Sequence, residues 1–205
     1  MSDMRNSFTT YRQFAANLAS SDCRGCALSE SRSRIVVDRG TPGSDVLLVG
    51  EAPGRTEDEE GRAFVGRSGK LLDRLFLEEG FDTNRQSLVI NVVKCRPPQN
   101  RPPRPEEARA CMDIFREQFS LAGPRWVVLL GRTALKHLFP ERAKLPMNEI
   151  AGSFFDHTGY PGIRFIVFFH PAYLLRDPRK IPAAREHIRS LLEERRNASQ
   201  TNSGQ

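Results

Sequence analysis

Four cysteines are the residues whose types and spacing point most directly to chemistry. Cys23 and Cys26 form a C-x2-C pair, and Cys95 and Cys111 follow later in the chain as C-x15-C. Four thiolates with one closely spaced pair suit a tetrahedral metal ion or an iron–sulfur cluster. Disulfides are the weaker interpretation, because no secretory segment precedes the first pair. The spacing itself leaves zinc and iron–sulfur open.

Three other side chains occupy positions that suit recognition of a planar, polar ligand. Asn91 interrupts an apolar run, His170 follows another apolar run and precedes a proline, and Phe64 lies among glycines. A buried amide requires a partner, and it offers both a donor and an acceptor to the edge of a nucleobase. An aromatic ring in a polar loop can stack on such a base. Each residue also admits a structural interpretation, as core packing or as a partner of the backbone.

The glycine-rich segment 51–69 does not match the known phosphate-binding loops. Its G-R-S-G-K-L stretch fails both the spacing and the hydroxyl of G-x4-G-K-[ST], and G-x-G-x-x-G is absent. The sequence therefore excludes ATP binding through such a loop, and a metal-stapled nucleotide hydrolase is a weak alternative.

The candidate residues lie beside continuous apolar runs in the sequence, and these runs must form the elements that position them. Such runs are typical of parallel strands buried on both faces. Helical patterns separate the runs, which predicts an α/β protein: a three-layer α/β/α sandwich with a central, mainly parallel four-stranded sheet. A single domain would span 1–196, followed by a disordered tail at 197–205. The strands are expected at 45–50, 87–93, 125–130 and 164–169, with a short edge strand at 34–38. Helices are expected at 11–20, 70–79, 105–120, 133–139 and 183–196.

Three segments of unusual composition leave the carboxyl ends of the predicted strands. They are the glycine-rich 51–69, the proline-rich 94–104 and the segment 170–179 that begins with His170. Ligands of open α/β sheets bind at these ends of the strands. We therefore expect the functional site where the three segments meet.

The charge of the chain favours a polyanionic partner. Its 205 residues carry 31 basic and 25 acidic side chains, for a net charge of +6 and a pI near 9.5. Nucleic acid is the first polyanion to expect. The sequence has neither an apolar run long enough to span a membrane nor a start typical of a signal peptide. We therefore expect a cytoplasmic protein without a membrane partner, associated with the nucleoid if it is prokaryotic.

Four segments resemble, in order, the motifs of the family 4 uracil-DNA glycosylases, the iron–sulfur members of the uracil-DNA glycosylase superfamily. G-E-A-P-G alone is a weak signal, but four motifs together with the four cysteines are specific. The resemblance covers about 23–196. The segments are G-E-A-P-G at 50–54, G-R-A-F-V-G at 61–66, N-V-V-K-C-R-P-P at 91–98 and H-P-A-Y-L-L-R at 170–176.

The resemblance implies a monofunctional uracil-DNA glycosylase. Such an N-glycosyl hydrolase begins base excision repair by removing uracil that arises from cytosine deamination. Its partners would be uracil-containing DNA, single- or double-stranded, with free uracil as product, and it would be a monomer. The resemblance also implies a [4Fe-4S] cluster that holds structure rather than cycling between redox states. Its ligands would be Cys23, Cys26, Cys95 and Cys111.

The resemblance further implies a pocket for a uracil that has been flipped out of the duplex. Phe64 would stack on the base and Asn91 would bind its O4 and N3 edge. His170 would donate a hydrogen bond to O2 as the leaving uracil becomes negatively charged. The backbone lining would come from Gly50, Glu51 and Ala52.

DNA contacts are expected on the last two of the three segments. By analogy with the family, Leu174 would be the apolar wedge that enters the base stack. Arginines would bind phosphates, which would make binding steeply dependent on salt. These basic residues are Arg96, Arg101, Arg104, Arg176, Arg179 and Lys180, of which Arg96, Arg101 and Arg176 are the main candidates.

The chain departs from the most familiar superfamily members at two positions of its first motif. Ala52 stands where those members carry an acidic residue, so Glu51 and Glu57 become the candidates for positioning the attacking water. Gly54 stands where a bulky residue excludes the thymine methyl. The proline-rich segment 94–104 lacks the histidine through which a related branch attaches covalently to the abasic site, and this disfavours that outcome.

Two alternatives to uracil removal stay open in the sequence. One is a sister glycosylase for another deaminated base, such as hypoxanthine or xanthine. The other is a non-catalytic DNA-binding module stapled by zinc on the four cysteines, which would not need Phe64, Asn91 and His170 together.

Overall fold

The strands of the chain form a single six-stranded sheet in the computed structural model, which describes residues 10–202. The order across the sheet is β1-β3-β2-β4-β6-β5. The four central strands are parallel, whereas β1 and β5 pair antiparallel at the two edges. The strands are β1 Arg39–Gly40, β2 Val46–Gly50, β3 Ser87–Asn91, β4 Trp126–Leu130, β5 Phe154–Asp156 and β6 Arg164–Phe168.

Helices cover both faces of this sheet and complete three layers. Leu47 of β2 packs with Phe14 and Phe115 on one face, whereas Leu48 packs with Leu75 on the other. Each fully buried side chain of this kind contributes about 1.5–3 kcal/mol to folding. The predicted three-layer α/β/α sandwich is confirmed. Its helices are α1 Tyr11–Ser20, α2 Arg55–Glu60, α3 Arg67–Glu78, α4 Thr83–Gln86, α5 Pro105–Ala122, α6 Gly131–Leu138, α7 Met147–Ile150, α8 Pro171–Arg176 and α9 Ile181–Asn202.

The sheet is larger than the predicted four strands, because two short edge strands extend it. The first edge strand is Arg39–Gly40 rather than 34–38. Gly40 has a φ of +103°, and a side chain there would meet the carbonyl of Ser87 on the neighbouring strand. The pairing is thus set by a close approach of two backbones, which the hydrophobic pattern of 34–38 does not reveal.

Two short helices lie inside segments that were expected to be loops. They are α2, within 51–69, and α8, within 170–179. Each has six residues, which is too short for a helical hydrophobic period to stand out from the sequence. Both begin next to the carboxyl ends of strands and therefore determine where the site residues point.

The C-terminal helix differs from the predicted boundary. The segment from 197 was expected to be a disordered tail, but α9 continues through Asn202. The last three residues of that predicted tail lie outside the described residues. Within 10–202, none of the helices combines the length and the apolar character that crossing a bilayer requires.

Candidate active site

A cavity of about 480 Å³ lies at the carboxyl ends of the central strands. We call it the main cavity, and its volume lies within the range typical of small-ligand sites. All three segments of unusual composition contribute to its wall, as the sequence predicted. The predicted site residues that line it are Glu51, Ala52, Glu57, Phe64, Asn91, Arg101, His170 and Arg176.

Gly50, the last residue of β2, lets an aromatic ring and an amide lie close together in the wall of the main cavity. A Cβ atom at this position would lie 2.4 Å from Cζ of Phe64 and 2.5 Å from Oδ1 of Asn91. Any other residue would push these two side chains apart. The glycine is therefore required by packing, in addition to any contact that its backbone makes with a ligand.

Phe64 holds its ring in the main cavity through a strained backbone. Its φ is +52°, in the left-handed region that non-glycine residues rarely adopt. Its carbonyl lies against Gly69, where a Cβ atom would come within 1.8 Å of the carbonyl oxygen. The Phe64 and His170 ring centroids are 6.0 Å apart, at an interplanar angle of 41°. Strain of this kind persists only where surrounding structure imposes it.

Asn91 ends β3 with a buried acceptor that has no protein partner. The residue is only 1% exposed, and among the described residues its Oδ1 atom accepts no hydrogen bond. Leaving such a group unpaired costs about 1–3 kcal/mol. The Nζ atom of Lys94 donates to the main-chain carbonyl of Asn91 and fixes the end of the strand. The free Oδ1 atom therefore suits a donor on a bound ligand.

His170 lines the main cavity with a neutral ring that carries its proton on Nε2. Nδ1 accepts a hydrogen bond from the backbone N–H of Ala172 at 3.1 Å, so the proton of the neutral ring is on Nε2. Burial, assisted by the charge of Arg176, lowers the pKa of His170 to about 4. Gly131 makes room for it, since a Cβ atom there would lie 2.8 Å from the His170 Cβ atom. At neutral pH His170 is thus a hydrogen-bond donor without charge.

Glu51 brings an unpaired carboxylate oxygen to the same cavity. Its Oε1 atom is buried and has no hydrogen-bond partner within 10–202. Burial raises the pKa of Glu51 above its ordinary value, and a hydrogen bond with Thr133 opposes that rise. Such an oxygen is able to accept a hydrogen bond from a water molecule or a sugar hydroxyl.

Glu57, the second acidic candidate, is occupied by the backbone. One carboxylate oxygen accepts from the N–H of Gly54 at 3.2 Å, and the other accepts from the N–H of Gly66 at 2.7 Å. These amides belong to the N-terminal ends of α2 and α3, where carboxylates are favoured acceptors. The neighbouring Asp58 accepts in the same way from the backbone of Ser33. Glu57 and Asp58 therefore hold the loop through hydrogen bonds to the backbone, and the expectation that Glu57 positions water is corrected, because both of its oxygens already accept from amides.

The predicted wedge residue is on the wrong side of its helix. Leu174 is 2% exposed and packs in the core, whereas the next residue, Leu175, is 39% exposed. Because α8 is a helix, adjacent side chains point in directions about 100° apart. The prediction of Leu174 as a surface wedge is therefore wrong, and Leu175 is the leucine that solvent reaches.

The predicted phosphate contacts differ in how free their charges are. Arg176 is exposed and lines the main cavity. Arg96 donates to the side chain of Asn100 on the exposed surface. Arg101 instead forms two hydrogen bonds with the buried carboxylate of Glu107, at 2.6 and 2.8 Å. Arg101 is thus a brace of the proline-rich segment rather than a free contact for a phosphate.

The four cysteines surround a second cavity, which we call the cysteine cavity. All four are free thiols, and they share its lining with Arg32 and Lys94. Burial raises the pKa of Cys95 to about 12, so an added positive centre is needed to stabilise its thiolate. The four metal-ligand candidates are Cys23, Cys26, Cys95 and Cys111.

The four thiols are the metal-ligand candidates because they line one cavity, although no three Cys, His, Asp or Glu side chains within 10–202 form a group tight enough to hold one ion as they stand. Thiolates are the ligands of both tetrahedral zinc and iron–sulfur clusters.

Sequence reasoning missed two residues that support the site. Lys94 is 1% exposed, and its Nζ atom donates to Gln118 as well as to Asn91. A lysine at the end of an apolar run is a signal that could have identified it. Thr133 supports Glu51 from the first turn of α6, and nothing in the local sequence indicates this role.

Comparison with known proteins gives one family and several relatives. Residues 37–194 match the family described as "Uracil DNA glycosylase superfamily". A "Type-4 uracil-DNA glycosylase" of Thermotoga maritima is 42% identical over 76% of this chain and 79% of its own length. Proteins of the same name from Sulfurisphaera tokodaii and Saccharolobus solfataricus are each 36% identical over 84% of this chain, and over 76% and 77% of their own lengths.

Proposed function

Because this chain belongs to the uracil-DNA glycosylase superfamily, among its type-4 members, we propose that it hydrolyses the bond between uracil and deoxyribose in DNA. It acts as a monofunctional glycosylase and leaves an abasic site. One observation carries the proposal: a neutral donor, a free amide acceptor and an aromatic ring meet in one cavity. These groups belong to His170, Asn91 and Phe64.

The three groups complement a flipped uracil. The ring of Phe64 stacks on the face of the base, and an aromatic–base stack contributes about 1–3 kcal/mol. The free Oδ1 atom of Asn91 accepts from N3–H, while the amide nitrogen of the same side chain donates to O4. Backbone at Gly50, Glu51 and Ala52 closes the pocket.

His170 assists the departure of the base. As the glycosidic bond breaks, negative charge grows on uracil and positive charge grows on the sugar. The Nε2–H group of His170 donates to O2 of the departing uracil. Its neutral state matters, because a neutral donor stabilises the anion without giving up its proton. A donor that is already oriented toward the developing charge requires little reorganisation during the reaction.

Glu51 is the residue that positions water in this proposal. Its unpaired oxygen accepts a hydrogen bond from the water that attacks the sugar carbon. The carboxylate also stabilises the positive charge that develops on the sugar. Ala52 supplies no polar side chain for this task, and Glu57 is occupied by two backbone amides.

We propose that the four cysteines hold a [4Fe-4S] cluster. Cys23, Cys26, Cys95 and Cys111 would bind it, and it would supply a structural cross-link between the N-terminal segment, the segment after Asn91 and α5. Arg32 lies 3.7 Å from the Cys95 sulfur and is placed to stabilise a thiolate there. The reaction of the base and the sugar uses none of these residues directly.

Uracil-containing DNA approaches across the mouth of the main cavity in this proposal. Arg176 and Arg96 bind phosphates, and Arg101 braces the segment that carries Arg96. Leu175 takes the position of the wedge that supports the flipped state.

The partner is single- or double-stranded DNA, the product is free uracil, and the protein acts as a monomer. A cytoplasmic location stays a prediction.

The test is base release from an oligonucleotide that contains one uracil. We expect strand cleavage that appears only after alkali treatment, together with free uracil and about four irons per chain. The same oligonucleotide with thymine or cytosine is the control. Absence of release by protein with a full iron content would contradict the proposal. Release of hypoxanthine or xanthine instead of uracil would select the sister-glycosylase alternative.

Substitution of the two adjacent leucines tests the position of the wedge. We expect Leu175→Ala to keep the melting temperature and to lower kcat/KM on duplex substrate about 10-fold, with a smaller loss on single strands. A wedge offsets the free-energy cost of unstacking the base, and only the duplex substrate incurs that cost. Leu174→Ala should instead reduce the free energy of unfolding by about 2–4 kcal/mol, because it removes buried volume.

Melting curves and rates on matched single- and double-stranded substrates separate the two leucines. A loss that is equal on both substrates for Leu175→Ala would argue against a wedge at this position.

A further inference from the structure

We infer that Arg39, a buried residue on the edge strand β1, is a positioning residue that holds Phe64 in its uracil-stacking conformation. The inference rests on the proposed function, since it concerns the ring that contacts the base. Arg39 lies outside all four motifs and outside the main cavity. It donates a hydrogen bond to the backbone immediately before Phe64.

Phe64 needs such a device because its own conformation is unfavourable. A non-glycine residue in the left-handed region is disfavoured by roughly 1–2 kcal/mol per residue. Free of restraint, the backbone at 64 would relax to negative φ and carry the ring away from the cavity. Gly69 permits the observed conformation by leaving room for the Phe64 carbonyl, but a glycine imposes no force of its own.

Two hydrogen bonds fix the residue that precedes Phe64 to the edge of the sheet. The Nε atom of Arg39 donates to the carbonyl oxygen of Ala63 at 2.9 Å. The N–H of Ala63 donates to the carbonyl oxygen of Asp38 at 3.2 Å. Ala63 is fully buried, so neither bond competes with water. The orientation of the peptide that leads into Phe64 is therefore set by residues 38 and 39.

Arg39 is itself held from three directions, which makes it a rigid support. Its Nη2 atom pairs with Asp73 at 2.8 Å, and its Nη1 atom donates to the side chain of Asn84 at 2.6 Å. Thr83 accepts from the same Nη1 atom at 3.4 Å and donates in turn to Asp73 at 2.5 Å. The Arg39 side chain is 2% exposed. Only a guanidinium offers donors in so many fixed directions, so lysine cannot replace it here.

Asp38, the neighbour of Arg39, also connects to the segment that carries Asn91. The carboxylate of Asp38 accepts from the hydroxyl of Tyr11 at 2.7 Å, and Gln118 donates to that hydroxyl at 2.8 Å. Gln118 in turn accepts from Lys94, which fixes the Asn91 carbonyl. Residues 38 and 39 thus support both groups that define the shape of the uracil pocket.

The test measures how tightly free uracil inhibits the cluster-loaded enzyme. Base–aromatic stacking has a strength of about 1–3 kcal/mol, and we expect Arg39→Met to lose part of it, with inhibition about 5- to 30-fold weaker. The conservative Arg39→Lys variant keeps the charge beside Asp73 but not the Nε donor, so it should show the same loss. If Arg39→Met fails to fold, the Arg39→Lys variant provides the same measurement.

A double-mutant cycle decides whether Arg39 acts through Phe64. In a Phe64→Leu background, Arg39→Lys should weaken uracil inhibition no further, because the ring it positions is absent. Additive losses in the cycle would overturn the inference. So would wild-type inhibition by uracil in an Arg39→Lys single variant.

Ser87→Ala is the matched control for general loss of stability. It removes a buried hydrogen bond, from the Ser87 hydroxyl to the carbonyl of Thr83 at 2.7 Å, but involves neither the side chain of Arg39 nor its bond to Ala63. We expect a lower melting temperature with unchanged uracil inhibition. A change of inhibition that tracks melting temperature in all variants would overturn the inference. Wild-type protein that releases no uracil would instead sink the proposed function, so the two failures are distinguishable.

Discussion

Replacement of His170 by alanine is expected to lower kcat for uracil release by about 10²–10³-fold. Removal of one oriented donor from a site of developing negative charge has effects of this size. The ground-state uracil carbonyl carries little of that charge, so inhibition by free uracil should weaken much less than kcat falls. Single-turnover rates on a uracil-containing oligonucleotide, together with uracil inhibition constants, separate the two effects.

His157 provides a matched control within the same chain. Like His170, it accepts a hydrogen bond at Nδ1 from the backbone N–H two residues later, here Gly159 at 3.0 Å. It lies on the exposed turn between β5 and β6, outside the main cavity. His157→Ala should leave kcat unchanged. Equal losses in the two alanine variants would show that His170 acts through folding rather than through the departing base.

The pH dependence of kcat follows from the neutral state of His170. Its pKa of about 4 means that the ring stays neutral through the range where an ordinary histidine titrates, near 6.5. Between these values the folded state binds fewer protons than the unfolded state, so stability falls as pH is lowered from 6.5 toward 4. An inflection of kcat near pH 6.5 that disappears in His170→Ala would contradict the neutral-donor role.

The acidic limb of the same profile should belong to Glu51. Burial raises its pKa above 4.5, so loss of the carboxylate begins at higher pH than for an exposed glutamate. Glu51→Gln should lower kcat and flatten this limb, since the amide does not titrate.

The sequence predicts the strands of the sheet more accurately than it predicts the orientation of side chains in the loops. The run at 46–50 is buried at every position, and its residues are accordingly all apolar or glycine. Glu57 gives no comparable signal, because an acidic stretch has the same residue types whether it faces solvent or accepts hydrogen bonds from two helix ends. Hydrogen bonds to the backbone depend on where distant amides lie, and residue types do not encode that.

The two leucines of α8 show the same limit on a smaller scale. Leu174 and Leu175 are identical in chemistry, and only the phase of a six-residue helix decides which of them is buried. In contrast, His170, Asn91 and Phe64 could be predicted, because each places an unusual residue type at the carboxyl end of a strand or in a glycine-rich loop. Residues whose type departs from their surroundings are visible in a sequence, and residues that differ only in direction are not.

Loss of a single cysteine ligand is the second large effect that we expect. If the proposed cluster is present, Cys95→Ala should abolish its broad visible absorbance, reduce the iron content and remove several kcal/mol of stability, because binding of a structural metal is folding energy. For a chain of this size each kcal/mol shifts Tm by roughly 2–4 °C. Uracil release should fall with it, since Cys95 and Asn91 lie at opposite ends of one buried segment. Absorbance, iron analysis and thermal melting measure the change.

Ser29→Ala is a suitable control for the cysteine variant. The Ser29 hydroxyl donates to the carbonyl of Cys26 at 2.9 Å, so it supports the same turn without offering a thiolate. We expect full iron content and a small change in Tm. An iron-free Cys95→Ala protein with the wild-type Tm would contradict a structural cluster.

A structural role also makes a prediction that a redox role does not. If the four cysteines only join the N-terminal segment, the segment after Asn91 and α5, kcat should depend on whether the cluster is present and not on its oxidation state. Rates measured on one cluster-loaded preparation, before and after reduction, should therefore agree within about twofold, which corresponds to roughly 0.4 kcal/mol in the barrier. A larger change on reduction would mean that the charge of the centre reaches the main cavity. Lys94 is the residue through which it would act, because it lies between Cys95 and the carbonyl of Asn91.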